Sequence, residues 1–131
     1  MRTLFLLITI FIIHYLLFNI ALAQPEIKFD DTVKKFEKTK AGELLSFDYS
    51  FINMGNQPLI ISEVKVTCGC TKPEYPAEPI KPNEKGNIHV TFDTKGKIGY
   101  QDRILEVISN AKNSPEKIRF KGVVDNKAEK N

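Results

Sequence analysis

Tryptophan is absent from the 131-residue chain, and cysteine and histidine occur only twice each. Without Trp, and without two cysteines far enough apart to bridge two sheets, an immunoglobulin domain of antibody type is excluded. That core is built on a buried Trp packed against an inter-sheet disulfide. Cys68 and Cys70 have only Gly69 between them and cannot staple distant strands. The scarcity of histidine restricts acid–base chemistry. His14 sits in an apolar N-terminal run, which leaves His89 alone in the remainder, and no histidine is expected beside Ser62 or Ser109. Asp30 and Asp31 are neighbours, so on extended backbone they face opposite ways and make a poor acid–base pair. Asp93-Thr94-Lys95-Gly96 lacks the further acidic ligands of a calcium loop and reads as a turn. Neither an enzyme nor a cofactor is expected. Long basic blocks are lacking too: Lys and Arg number 19 against 16 Asp and Glu. Spread along the chain, they describe a solvated surface and give no sign of a nucleic-acid partner.

One long hydrophobic run is present, at the N-terminus. Residues 1–23 carry Arg2 as their sole charge, run almost unbroken in apolar residues from Leu4 to Phe18, and end Ala21-Leu22-Ala23. That is the pattern of a secretory signal peptide, with cleavage expected between Ala23 and Gln24. No cysteine follows the small residues, so a lipid-modified N-terminus is not expected. If the segment were retained, Leu4 to Leu22 would be nearly long enough to span a bilayer, and it is the chain's one route to a membrane. The expected location is extracytoplasmic, either periplasmic or secreted. Residues 24–124 then form one domain, and residues 125–131 a polar tail with nothing to bury.

Two-residue alternation recurs through the domain, which predicts strands with one buried face. Leu45, Phe47, Tyr49 and Phe51 share one parity against Ser46, Asp48 and Ser50. Ile60, Val64, Val66 and Cys68 share another, so Cys68 is expected to point inward. Ile88, Val90 and Phe92 face the core with His89 outward. Leu105 and Val107 alternate with Ile104 and Ile108, which suggests a strand buried on both sides. Ile27 and Phe29 belong to an expected edge strand at Glu26–Asp30, and Ile118 to Val124 forms the last strand. Residues 31–42 are ambiguous and include a possible helical turn around Asp31–Glu37. Pro73, Pro76, Pro79 and Pro82 predict a loop from Thr71 to Lys85 that crosses between sheets. Short strands with frequent turn signals indicate an all-β, immunoglobulin-like sandwich of about seven strands, with Phe29, Phe36, Phe47, Phe51, Phe92 and Phe120 filling its core.

The series Phe51-x-Asn53-x-Gly55, Pro58-Leu59-x-Ile61, Cys68-Gly69-Cys70-Thr71, Pro79-Ile80-x-Pro82, Phe92-Asp93-Thr94, Gly99-Tyr100 and Ser109-Asn110 resembles the bacterial domain of unknown function 1573 family. The resemblance covers almost all of residues 24–124. It implies an exported immunoglobulin-like sandwich, related in shape to Hydin-type domains and often found in Bacteroidetes-like bacteria, with no established activity. It singles out Cys68, Gly69, Cys70, Thr71, Asn53, Gly55, Ser109 and Asn110 as motif residues. Two positions depart from the family pattern. Asn83 stands where glycine is usual, and asparagine also tolerates left-handed backbone. Lys35-Phe36-Glu37 replaces an Asp-Phe-Gly-like sequence and questions the geometry around Phe36.

Three readings of Cys68 and Cys70 stay open: a local structural disulfide or buried thiols, a redox-active pair, or a two-thiolate site for a soft metal such as Cu(I), for which two ligands are few. In an exported protein the pair is expected to be oxidised to an intramolecular disulfide, with Gly69 permitting the bend the bond requires. The leading functional expectation is a non-enzymatic binding or structural module of the cell envelope that meets a protein or envelope partner. The rival is a thiol–disulfide or copper-handling protein centred on the two cysteines.

Overall fold

The computed structural model describes residues 1–21 and 23–125, so the polar tail expected at 125–131 lies, beyond Asp125, outside the described residues. Helix α1 (Arg2–Ala21) comes first. Its side chains from Arg2 through Leu17 are all exposed. Nine strands follow among the described residues: β1 (Ile27–Phe29), β2 (Val33–Lys35), β3 (Thr39–Lys40), β4 (Leu44–Asn53), β5 (Ile61–Lys65), β6 (Thr71–Glu74), β7 (Lys85–Asp93), β8 (Gly99–Ser109) and β9 (Glu116–Asp125).

They form two sheets, one ordered β1-β4-β7-β6 and the other β2-β9-β8-β5, with β3 also pairing to β9. The fold is therefore the all-β, immunoglobulin-like sandwich that the alternation predicts. The strands that the alternation did not foresee are β6, within the expected loop, and β2 and β3, which run parallel to β9 in the ambiguous segment 31–42. The backbone groups of β2 and β3 complete an exposed edge of the second sheet, and Phe36 follows β2 by donating its N–H to Lys121 O at 3.0 Å. Its ring packs on Phe47 and Phe92 and lies where any Cβ on Gly122 would have to be. Lys35-Phe36-Glu37 thus keeps a well-defined aromatic contact.

The core forms between the inner faces. Tyr49, Phe51, Ile88, Val90 and Phe92 come from the first sheet and Leu105, Val107, Ile118 and Phe120 from the second, each at most 1% exposed. Phe47 stacks on Phe120 at 4.7 Å between ring centroids. Tyr49 also ties the layers by donating its hydroxyl to Arg119 O across the core at 2.9 Å, and burial pushes its phenol pKa well up.

Three alternation readings are corrected. A β-bulge between Ile61 and Glu63 places one extra residue on β5, so Ile61 and Val64 are buried while Ile60 is 45% exposed. The strand ends at Lys65, and Cys68 is half-buried in a turn instead of pointing inward from a strand. On β8 only the Leu105 and Val107 face is buried, whereas Ile104 is 46% exposed, because no third layer covers the second sheet.

The crossing between sheets is also relocated. β5 belongs to the second sheet and β6 to the first, so the chain crosses at residues 66–70, through the two cysteines. Thr71–Glu74 is a strand, and the proline-rich stretch after it returns within the same sheet. β6 accepts Pro73 because it is an edge strand. Cys70 O takes the Asp93 N–H at 2.9 Å, which fixes the alternation so that Thr71 and Pro73 turn their backbone groups outward. On the opposite edge, the Asn113 carboxamide accepts from Ile27 N at 3.2 Å and donates to Ile27 O at 2.7 Å.

Candidate functional site

The eight motif residues separate into two groups. Asn53, Gly55, Ser109 and Asn110 gather at the end of the sandwich where the chain enters from α1. Asn53 is completely buried, and its carboxamide makes every bond it can. Oδ1 accepts the N–H groups of Glu26 (3.3 Å) and Gly55 (3.0 Å), while Nδ2 donates to Gln57 O (2.7 Å) and Ile80 O (3.0 Å). Gly55 lets residues 24–26 lie against this turn: a Cβ there would sit 2.2 Å from Gln24 O and 2.6 Å from Glu26 N. Asn110 acts as a substitute strand partner, accepting from Ile60 N at 2.8 Å and donating to Pro58 O at 3.1 Å. Ser109 Oγ accepts the Ala111 N–H at 3.2 Å. Asn83 adopts φ of 64°, the left-handed backbone its usual glycine would supply, so the turn is preserved. The side chains of Asn53, Asn110 and Ser109 each bind backbone groups.

Cys68, Gly69, Cys70 and Thr71 form the second group, at the crossover. A turn closes as Thr71 N–H donates to Cys68 O at 3.1 Å. The two sulfurs are bonded to each other, with Cα atoms 5.2 Å apart. Two strand residues at this spacing would lie about 6.6 Å apart, so the chain is bent here. Cys70 N–H points at Cys68 Sγ from 3.2 Å. Cys70 packs against the core cluster, while a Cβ on Gly69 would meet nothing within 4 Å. A groove of about 290 Å³ opens beside them, lined by Leu44, Gly69, Cys70, Lys72, Thr91 and Asp93. Among the described residues no cluster of three or more His, Cys, Asp or Glu is placed to hold a metal ion, so the Cu(I) reading gains no third ligand from these groups.

His89 lies on the outer face of the first sheet directly opposite Asp48. Its Nδ1 is 2.8 Å from Asp48 Oδ1, and since a carboxylate only accepts, Nδ1 carries the proton. The hydrogen bonds from His89 and then Asn87 hold the Asp48 carboxyl below the usual range. Sequence reasoning missed the bridging role of Asn113, and also Thr94, whose buried hydroxyl donates to Glu43 O at 2.7 Å. For Thr94 a signal existed, its place in Phe92-Asp93-Thr94. For Asn113 none did beyond the turn composition.

The sequence matches, over residues 27–124, a family described as Protein of unknown function (DUF1573). The chain belongs to that family. No curated protein matches the DUF1573 chain by sequence. A protein of unknown function from Porphyromonas gingivalis W83 superposes with a TM-score of 0.65 at 17% identity, over 78% of this chain and 48% of its own. The chain therefore spans about half of that protein's length. The ASH/PapD-like domain 7 of human CEP192 superposes with a TM-score of 0.62 at 12% identity, over 80% of this chain and 89% of its own. The Vibrio cholerae VesB protease contains a similar domain, with a TM-score of 0.57 at 12% identity over 78% of this chain and 32% of its own. At these identities the likeness is one of fold.

Proposed function

We propose that this DUF1573 protein is an exported, non-enzymatic binding or structural module of the bacterial cell envelope, acting outside the cytoplasm through one face of its sandwich. The observation that carries this reading is the outer face of β8 and β9. Tyr100, Ile104 and Val123 are 63%, 46% and 40% exposed there. Tyr100 sits across from Val123, and Ile104 across from Arg119. Lys65, Val66, Thr67, Ile104, Glu106 and Lys117 line a groove of about 470 Å³ on the same face. Aromatic side chains and Arg are enriched in protein interfaces. An Asp102 carboxylate holds the Arg119 guanidinium through two charge-assisted hydrogen bonds, which lower the carboxyl pKa and raise that of the guanidinium. The apolar helix at the N-terminus supports export, with Gln24 as the new terminus.

Envelope extract passed over the immobilised protein and over Tyr100→Ser with Ile104→Ser tests the surface. A partner retained by the first and lost with the second, at unchanged melting temperature, is the expected result. Equal retention by both would remove the assignment of this face. Intact mass of the protein recovered from the envelope fraction should begin at Gln24, and a retained Met1 would refute cleavage.

A further inference from the structure

We propose that Cys68–Cys70 is a thiol–disulfide exchange site, at which the thiolate of a protein dithiol attacks Cys70 and Cys68 leaves. The inference goes beyond the binding role above and does not depend on it. Three observations carry it. The two cysteines enclose a single residue, so their bond restrains little of the unfolded chain and a stapling role explains little. Cys70, half-buried like Cys68, lines the groove beside Leu44, Lys72 and Asp93. Gly69 carries no side chain that would cover the sulfurs, and the space beside it is open. The third observation is the donor on the other sulfur. Cys70 N–H, 3.2 Å from Cys68 Sγ, stabilises negative charge developing on Cys68, and a better-stabilised thiolate leaves faster.

The reaction balances with a dithiol as the co-reactant. Its thiolate forms a bond to Cys70 Sγ while the Cys68–Cys70 bond breaks and its electron pair stays on Cys68 Sγ. The second sulfur of the partner, deprotonated, then displaces Cys70 Sγ. The partner ends as a disulfide and this protein as a dithiol, with two electrons transferred and the two protons of the original dithiol carried by Cys68 and Cys70. Lys72 and Asp93 line the groove with opposite charges, so a carboxylate in place of the lysine leaves the wall acidic against an approaching thiolate.

The test uses the oxidised, processed protein. With a twofold excess of reduced thioredoxin, whose potential is about −270 mV, at least half of the protein should be reduced, whereas a structural disulfide below about −300 mV would resist. The far-UV spectrum and a folded melting transition should persist after reduction. With excess glutathione and acid quenching, fragment mass spectrometry should place the mixed disulfide on Cys70. Lys72→Glu should lower the rate with anionic glutathione relative to cationic cysteamine by about threefold or more at low salt. Less than half reduction by thioredoxin, an adduct confined to Cys68, or unfolding on reduction would each overturn the proposal.

Discussion

The Asn53 turn cluster and the Cys68–Cys70 crossover are both rich in turn residues, yet their surroundings are opposite. Around Asn53 every carboxamide atom is bonded, and a Cβ on Gly55 would strike backbone at 2.2 Å. Around Gly69 the same added atom meets nothing, and the backbone donor of Cys70 points at a sulfur. The contrast separates two meanings of a motif. A closed, fully satisfied polar cluster specifies the path of the chain, whereas an open one leaves room beside a disulfide for the exchange proposed above.

That comparison can be broken by measurement. Phe92, buried in the core and paired across strands with Thr71 of the crossover, sets the upper scale: Phe92→Ala should cost about 3–5 kcal/mol in denaturant unfolding. Asn53→Ala comes next, at about 2–3 kcal/mol, because several backbone groups lose their partner in a site that admits little water. A loss under 1 kcal/mol there would mean that the cluster is not closed. Replacing both cysteines by serine should cost less than about 1.5 kcal/mol, the chain-entropy estimate for so small a loop, read as a minor shift in melting temperature. A larger loss would make the crossover a structural element like its counterpart.

Tyr49 gives a check through pH. Its phenol pKa is raised by burial in the folded state, so the neutral form is the one the fold favours. The associated stability is fully present below the unfolded value of about 10 and is lost as pH rises above it. Tyr49→Phe should cost about 1 kcal/mol at neutral pH and flatten the alkaline loss of stability. An unchanged alkaline profile would remove the inter-sheet hydroxyl from the account. The smallest effect is expected for Gly69→Ala, within about 0.5 kcal/mol of the parent. A clear destabilisation would show that the crossover is as tightly enclosed as the turn at Gly55.

Much of the sandwich was legible because β4, β7, β8 and β9 run 9–11 residues each, long enough for a period of two to be unmistakable. β2 and β3 have three and two residues, and backbone pairing on a sheet edge leaves no side-chain period to read. β6 was hidden by Pro73, a residue that argues against a strand everywhere except an edge, and edge position is a property of the assembled sheet. The bulge at Ser62 inverted the parity that put Ile60 inside. Of the motif residues, the cysteines were visible as chemistry and Asn53 only as turn composition. The place of Cys70 on the groove wall depends on which strand the chain meets after the turn, which spacing does not encode.

Both rims of the first sheet are short of outward-facing donors. The Ile27 N–H and C=O are engaged by Asn113, the Thr71 N–H is turned back to Cys68 O, and Pro73 has no N–H to offer. An exposed rim with a full row of donors invites a neighbouring molecule to continue the sheet. One carboxamide, one turn and one proline thus blunt these rims against edge-to-edge pairing. Asn113→Ala frees the Ile27 N–H on one rim and Pro73→Thr adds a donor on the other, and the colloidal behaviour of the concentrated protein should respond to both.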